Sequence, residues 1–102
     1  MTLARLRSRR DDILRIVTAN GASNVRVFGS VARAGAGPES DVDLLVDLPS
    51  DCRGFDFFGV LDEMRENLRS ILACEVDVLS IRGVTAEAQE VADRIRREAI
   101  PL

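Results

Sequence analysis

Two aspartates one residue apart, Asp41 and Asp43, follow a Gly29-Ser30 pair across a Gly/Pro-broken loop and lead into the apolar Leu44-Leu45-Val46. In an extended strand alternate side chains share a face. The spacing therefore sends both carboxylates to one side and Val42 and Leu44 to the other. Such a pair repels itself unless something positive lies between the oxygens. A divalent cation answers this, and Mg²⁺ suits best, because it is bound by one or two carboxylates together with substrate phosphates. Upstream, Gly29 lets backbone approach a ligand closely, and Ser30 offers a hydroxyl and an N–H. Val31-Ala32-Arg33 can open a helix whose N-terminus attracts anions. The parts describe a metal-nucleotide site. Each has an ordinary reading when taken singly: Gly-Ser as a turn with an N-cap, Asp-x-Asp as a solvated strand edge that Asp41 merely starts. Their order and separation are what carry meaning.

The stretch resembles the signature of the polymerase β-like nucleotidyltransferase superfamily, a Gly-Ser followed after a loop by Asp-x-Asp. In fuller form, Gly29-Ser30-x-Ala32-Arg33 and then Ser40-Asp41-x-Asp43-Leu44-Leu45-Val46 is similar to the minimal nucleotidyltransferases, the MNT antitoxins paired with HEPN ribonuclease toxins. Family members usually carry Gly directly after the Arg, where this chain has Ala34 and then Gly35. The likeness runs from Val25 to Leu102.

It implies an α/β fold of the polymerase β-like kind, a small mixed sheet covered by helices, spanning residues 1–102 as a single domain. It also implies a third acidic residue on a neighbouring strand, a position that Asp77 matches; Glu75, at the start of that strand, is the competing candidate. Asp41, Asp43 and Asp77 are then the catalytic and metal-binding candidates, with Gly29, Ser30, Arg33 and Ser40 for the nucleotide. Arg33 can neutralise a phosphate or form a salt bridge holding the loop, and Ser40 can cap the entry to the second strand. Three carboxylates can hold two metal ions about 3.5–4 Å apart, on the attacking hydroxyl and the departing pyrophosphate. The implied reaction moves AMP from ATP to a tyrosine of a HEPN toxin. A non-catalytic antitoxin acting by contact alone is the alternative, ahead of a small-molecule nucleotidyltransferase, for which 102 residues leave no second domain.

The positioning elements follow from periodicity. Leu3, Leu6, Ile13, Leu14 and Val17 predict one amphipathic helix from Leu3 to Ala19, ended by Asn20-Gly21. Its Arg residues read chiefly as a solvated face. Val25–Phe28 predicts a first strand that delivers Gly29-Ser30 at its carboxyl end, where ligand crevices of α/β sheets commonly lie. Val42–Val46 is the second strand, and Pro49–Gly54 is expected to be a mobile surface loop. Phe57, Leu61, Met64, Leu68 and Ile71 or Leu72 trace a helix from Phe55 to Leu72. Three phenylalanines at its start exceed what one stripe needs. Glu75–Leu79 is the third strand. A last helix opening at Gly83 or Thr85 is expected to bury Ala88, Val91, Ile95 and Ala99, to pair Glu90 with Arg94 and Asp93 with Arg97 on its surface, and to stop at Pro101.

Composition narrows the chemistry. Of 102 residues, 46% are hydrophobic and 30% charged, as in an ordinary globular domain. The net charge of −3 argues against a broad nucleic-acid footprint, which is normally basic. Every basic residue is Arg, so no lysine nucleophile is available, and His and Tyr are absent. Carboxylates are left as ligands for a hard cation. Cys52 and Cys74 lack metal or redox spacing and are expected to be reduced. No signal peptide or membrane span is apparent, which sets the expected location in the cytoplasm.

Overall fold

The computed structural model describes residues 2–33, 41–49, 51–52, 55–81 and 88–102. The expected first helix divides in two, α1 (Leu3–Ser8) and α2 (Arg10–Ala19). At Arg9 the backbone turns to φ −105° and ψ 17°, and its N–H bonds the Leu6 carbonyl at 3.0 Å, a tight i→i+3 closure. Thr2 caps α1 through a 3.2 Å bond from the Arg5 N–H, while Asp11 and Asp12 in the first turn of α2 favour its positive end. Both halves still bury one stripe, Leu6 followed by Ile13 and Val17. Periodicity alone therefore did not reveal the break.

Strand β1 (Ser23–Phe28) runs into α3 (Gly29–Ala32), and β2 (Val42–Asp47) follows. Helix α4 (Phe55–Leu72) leads to β3 (Val76–Leu79), α5 (Gln89–Glu98) and a two-residue β4 (Ile100–Pro101). The sheet order is β3-β2-β1-β4. The β1 pairings with β2 and β4 are antiparallel, whereas β2 and β3 are parallel. A parallel pair needs a crossover between its strands, and α4 supplies it. This is the mixed α/β arrangement that the sequence implied.

One sheet face carries Val25, Val27, Val42, Leu44, Val46, Val76 and Val78 against Leu6, Ile13, Val17, Met64 and Leu68. Each large side chain buried there contributes about 1.5–3 kcal/mol. The other face carries Asp43, Leu45, Asp77 and Leu79; Leu45 is fully buried although it lies outside that core cluster. Among the described residues no helix is long and apolar enough to cross a membrane.

The last helix corrects its expected phase. Ala92 is the buried residue, while Ala88 is exposed and Val91 is 48% exposed. The described ion pair within the helix is Arg96 with Asp93, at 3.3 Å and i,i+3, instead of the two i,i+4 pairs. Pro101 does not simply stop a helix but pairs as a strand residue with Arg26. The glycines and proline of the loop after Arg33, the start proposed at Gly83 or Thr85, and Ser50, Arg53 and Gly54 of the expected loop lie outside the described residues.

Ala73 ends α4 at φ +55°, a left-handed conformation that glycine takes more easily. Ala73→Gly is expected to stabilise the fold by about 1 kcal/mol, since relief of the side-chain clash outweighs the lost chain stiffness. A rise in the urea midpoint at unchanged slope checks this.

Candidate active site

The site begins with strand register. An irregularity between Ser23 and Arg26, with Asn24 at φ +55°, restores the alternation that buries Val25 and Val27. Asp47 fixes it from across the hairpin: its carboxylate accepts 2.9 Å from Asn24 Nδ2 and 2.6 Å from Arg26 Nη2. With register held there, Phe28 falls opposite Asp43.

The next residue, Gly29, then sits directly against the Asp43 carboxylate. Its φ is +73°, and a Cβ at this position would overlap Asp43 Oδ2 and lie 3.2 Å from Asp43 Cγ. Both the backbone angle and the lack of space call for glycine. Ser30 follows in the first turn of α3, half-buried, and Phe28 at the N-cap gives no side-chain acceptor to the opening N–H groups. The sequence thus places a narrow, donor-bearing turn beside a carboxylate.

Parallel register brings the third carboxylate in. Asp43 on β2 is the partner of Asp77 on β3, as Leu45 is of Leu79. Asp41 stands exposed just before β2, and Val42 after it is buried, so the alternation expected of the pair holds. Asp43 is half-buried, and its carboxyl is pushed above the ordinary range by burial first, then by the charges of Asp77 and Asp41, with Arg33 opposing. Asp77, Asp41 and Arg33 therefore all act on Asp43. Asp77 is exposed on its strand, and its register beside Asp43 is what singles it out.

Glu75 is engaged elsewhere, accepting 2.8 Å from Arg69 Nη2. A surface depression of about 520 Å³ next to it, lined by Glu66, Arg69, Ser70, Ala73, Cys74 and Glu75, contains none of the three aspartates. Burial raises the Cys74 thiol, which leaves it less reactive than an ordinary cysteine. Ser40 lies outside the described residues.

Arg33 ends α3, and its Nη1 donates to Glu98 Oε2 on α5 at 3.4 Å. Glu98 was not singled out in the sequence. No local pattern could have found it, because 65 positions separate it from Arg33.

Among the described residues no three acidic, His or Cys side chains are arranged to enclose a metal ion by themselves. Asp43 and the neighbouring Asp41 and Asp77 nonetheless offer carboxylate oxygens, which suit a hard cation completed by phosphates. Gly29 leaves room beside them where any other side chain would intrude.

An α/β domain with a Gly-Ser turn set against strand-borne aspartates defines a class, and the comparisons agree with it. The family model of the nucleotidyltransferase domain matches residues 10–100. The chain belongs to this family. It is similar, at 38% identity and a TM-score of 0.76, to a solved structure of a candidate minimal nucleotidyltransferase, covering 100% of this chain and 97% of that one. A toxin-antitoxin crystal structure with AMP-PNP aligns over 89% of this chain and 69% of its own, with 19% identity and a TM-score of 0.71. A mutant MntA-HpeT toxin-antitoxin structure aligns over the same shares at 17% identity and a TM-score of 0.67. These last two share the fold. The chain matches no curated protein.

Proposed function

We propose that these 102 residues act as a single minimal domain, a Mg²⁺-dependent nucleotidyltransferase that serves as an antitoxin in the cytoplasm by transferring AMP from ATP to a tyrosine of a HEPN-type ribonuclease toxin. The observation that most supports the transferase reading is the fit of Gly29 against Asp43, with Asp77 in register beside them. The toxin as acceptor is supported by the family resemblance and by the toxin-antitoxin structures that share the fold.

In this reading Gly29 and Ser30 grip the triphosphate through backbone N–H groups and the Ser30 hydroxyl, with Arg33 and Ser40 beside it. Asp41, Asp43 and Asp77 hold Mg²⁺, with two ions the fullest complement for three carboxylates. When bound, the metal neutralises the phosphates and the charge that grows on the departing pyrophosphate. The tyrosine oxygen forms a bond to the α-phosphorus of ATP, and the bond from that phosphorus to the bridging oxygen breaks to release pyrophosphate. Asp77, on the open face, takes up or relays the phenolic proton. Positioning and charge neutralisation suffice, because phosphoryl chemistry asks little covalent help of a protein.

The sequence contains no Tyr, so a tyrosine-directed enzyme cannot label itself on its preferred residue. With α-labelled ATP and Mg²⁺ the isolated protein is expected to carry little or no AMP. Adding a HEPN toxin that binds this chain should move label onto the toxin, and a Tyr-to-Phe change at the toxin's acceptor should remove label while leaving binding. Stoichiometric AMP on this chain overturns the reading. So does an unlabelled toxin that is still bound and inhibited, which is the result of an antitoxin acting by contact alone.

A further inference from the structure

The contact between α3 and α5 ties the proposed nucleotide grip to a helix remote in sequence. Helix α3 packs on β1, β2 and α5. Arg33 closes it, and the Glu98 carboxylate at the end of α5 takes one guanidinium nitrogen at 3.4 Å. Among the described residues only that nitrogen of the five-donor fork is engaged. Glu98 holds Arg33 from α5, while Gly29 at the other end of α3 lies against Asp43.

We propose that Glu98 is a positioning residue for nucleotide binding, holding Arg33 back from Asp43 with its other N–H groups turned to the place a triphosphate occupies. The inference rests on the nucleotidyltransferase reading. Without Glu98, the guanidinium closes onto the nearest carboxylate of the site. There it occupies oxygens that a metal needs and loses its own orientation toward phosphate. A guanidinium fork recognises phosphate well only when its plane is fixed. Arg33 closes the four-residue helix whose Gly29 lies against Asp43, and that helix packs on β2.

The two side chains are partly exposed, 60% for Arg33 and 36% for Glu98, so the effect is moderate. Calorimetric binding of Mg²⁺ with a non-hydrolysable ATP analogue tests it on four proteins: parent, Glu98→Gln, Arg33→Gln and the double variant. Glu98→Gln is expected to weaken binding about fivefold and Arg33→Gln about tenfold. The double variant should bind no more weakly than Arg33→Gln alone, because Glu98 acts only through Arg33. Glu98→Asp should recover part of the loss, and melting temperatures of all variants should stay close to the parent's.

If the parent binds and Glu98→Gln binds equally well, the positioning role is overturned while the nucleotide site stands. If the two losses multiply, Glu98 acts by general support of the fold, and the role is likewise overturned. A parent that binds no Mg²⁺-nucleotide overturns the functional reading itself and the inference with it.

Discussion

Replacing Asp43 by Asn is expected to abolish transfer while leaving the metal-free protein as stable as the parent or slightly more so. The loss in rate should be about three orders of magnitude or more, since the side chain lies between Gly29 and Asp77 and none of the described groups duplicates it. The stability expectation follows from proton linkage. Burial and the charges of Asp77 and Asp41 raise the Asp43 carboxyl above its ordinary 3.8. The folded chain therefore binds this proton more tightly than the unfolded chain does. Its contribution is fully favourable below the ordinary value and is lost as pH rises through the raised one. At neutral pH the ionised group works against the fold. Asn removes that penalty and flattens this part of the pH dependence, raising the melting temperature by up to about 4 °C in a domain of this size. Melting curves from pH 3 to 8 in chelator, with initial rates at saturating ATP, check both halves. An active variant that melts far below the parent contradicts the assignment.

Gly29→Ala should be damaging in two separable ways. A side chain at φ +73° costs about 1–2 kcal/mol in backbone strain. The added Cβ would also overlap the Asp43 oxygen, which must move or carry β2 with it. Together these should cost about 2–3 kcal/mol and lower the melting temperature by about 10 °C or more. Mg²⁺-nucleotide binding should fall below detection. Gly21→Ala isolates the first effect, because Gly21 has φ +78° but its nearest neighbour would be Pro49 Cγ at 4.0 Å. A Gly29 variant no worse than the Gly21 variant, and still binding nucleotide, would refute the close-approach account.

Much of the fold was legible wherever apolar spacing is strong. Helix α4 spans Phe55–Leu72 as its stripe indicated, and the three long strands lie within two residues of their expected ends. Helix α5 was harder to phase because it offers few apolar residues: Val91 looked like core by its type, yet the small Ala92 takes the buried place. Strand β4 was hidden by its two-residue length and by a proline, which usually argues against a strand. Within the candidate site, residue types and spacing in 29–43 singled out Gly29, Asp41 and Asp43 as candidates, and the fold brings Gly29 against Asp43. The reason Gly29 must be glycine, and the partnership of Arg33 with Glu98, depend on register and on packing between distant segments.

The outer strands of the sheet bear on how the molecule meets others. On one side β4 covers β1 for only two residues, and Pro101 has no N–H to offer a further strand. On the other, β3 is four residues long and carries the exposed Asp77. Short, proline-bearing or charged borders discourage the edge-to-edge growth that leads to fibres and swapped strands. Among the described residues, the sheet is thus closed to extension at one border and poorly suited to it at the other. Association is directed instead to side-chain surfaces, and an aspartate next to the proposed chemistry also serves as a guard against aggregation.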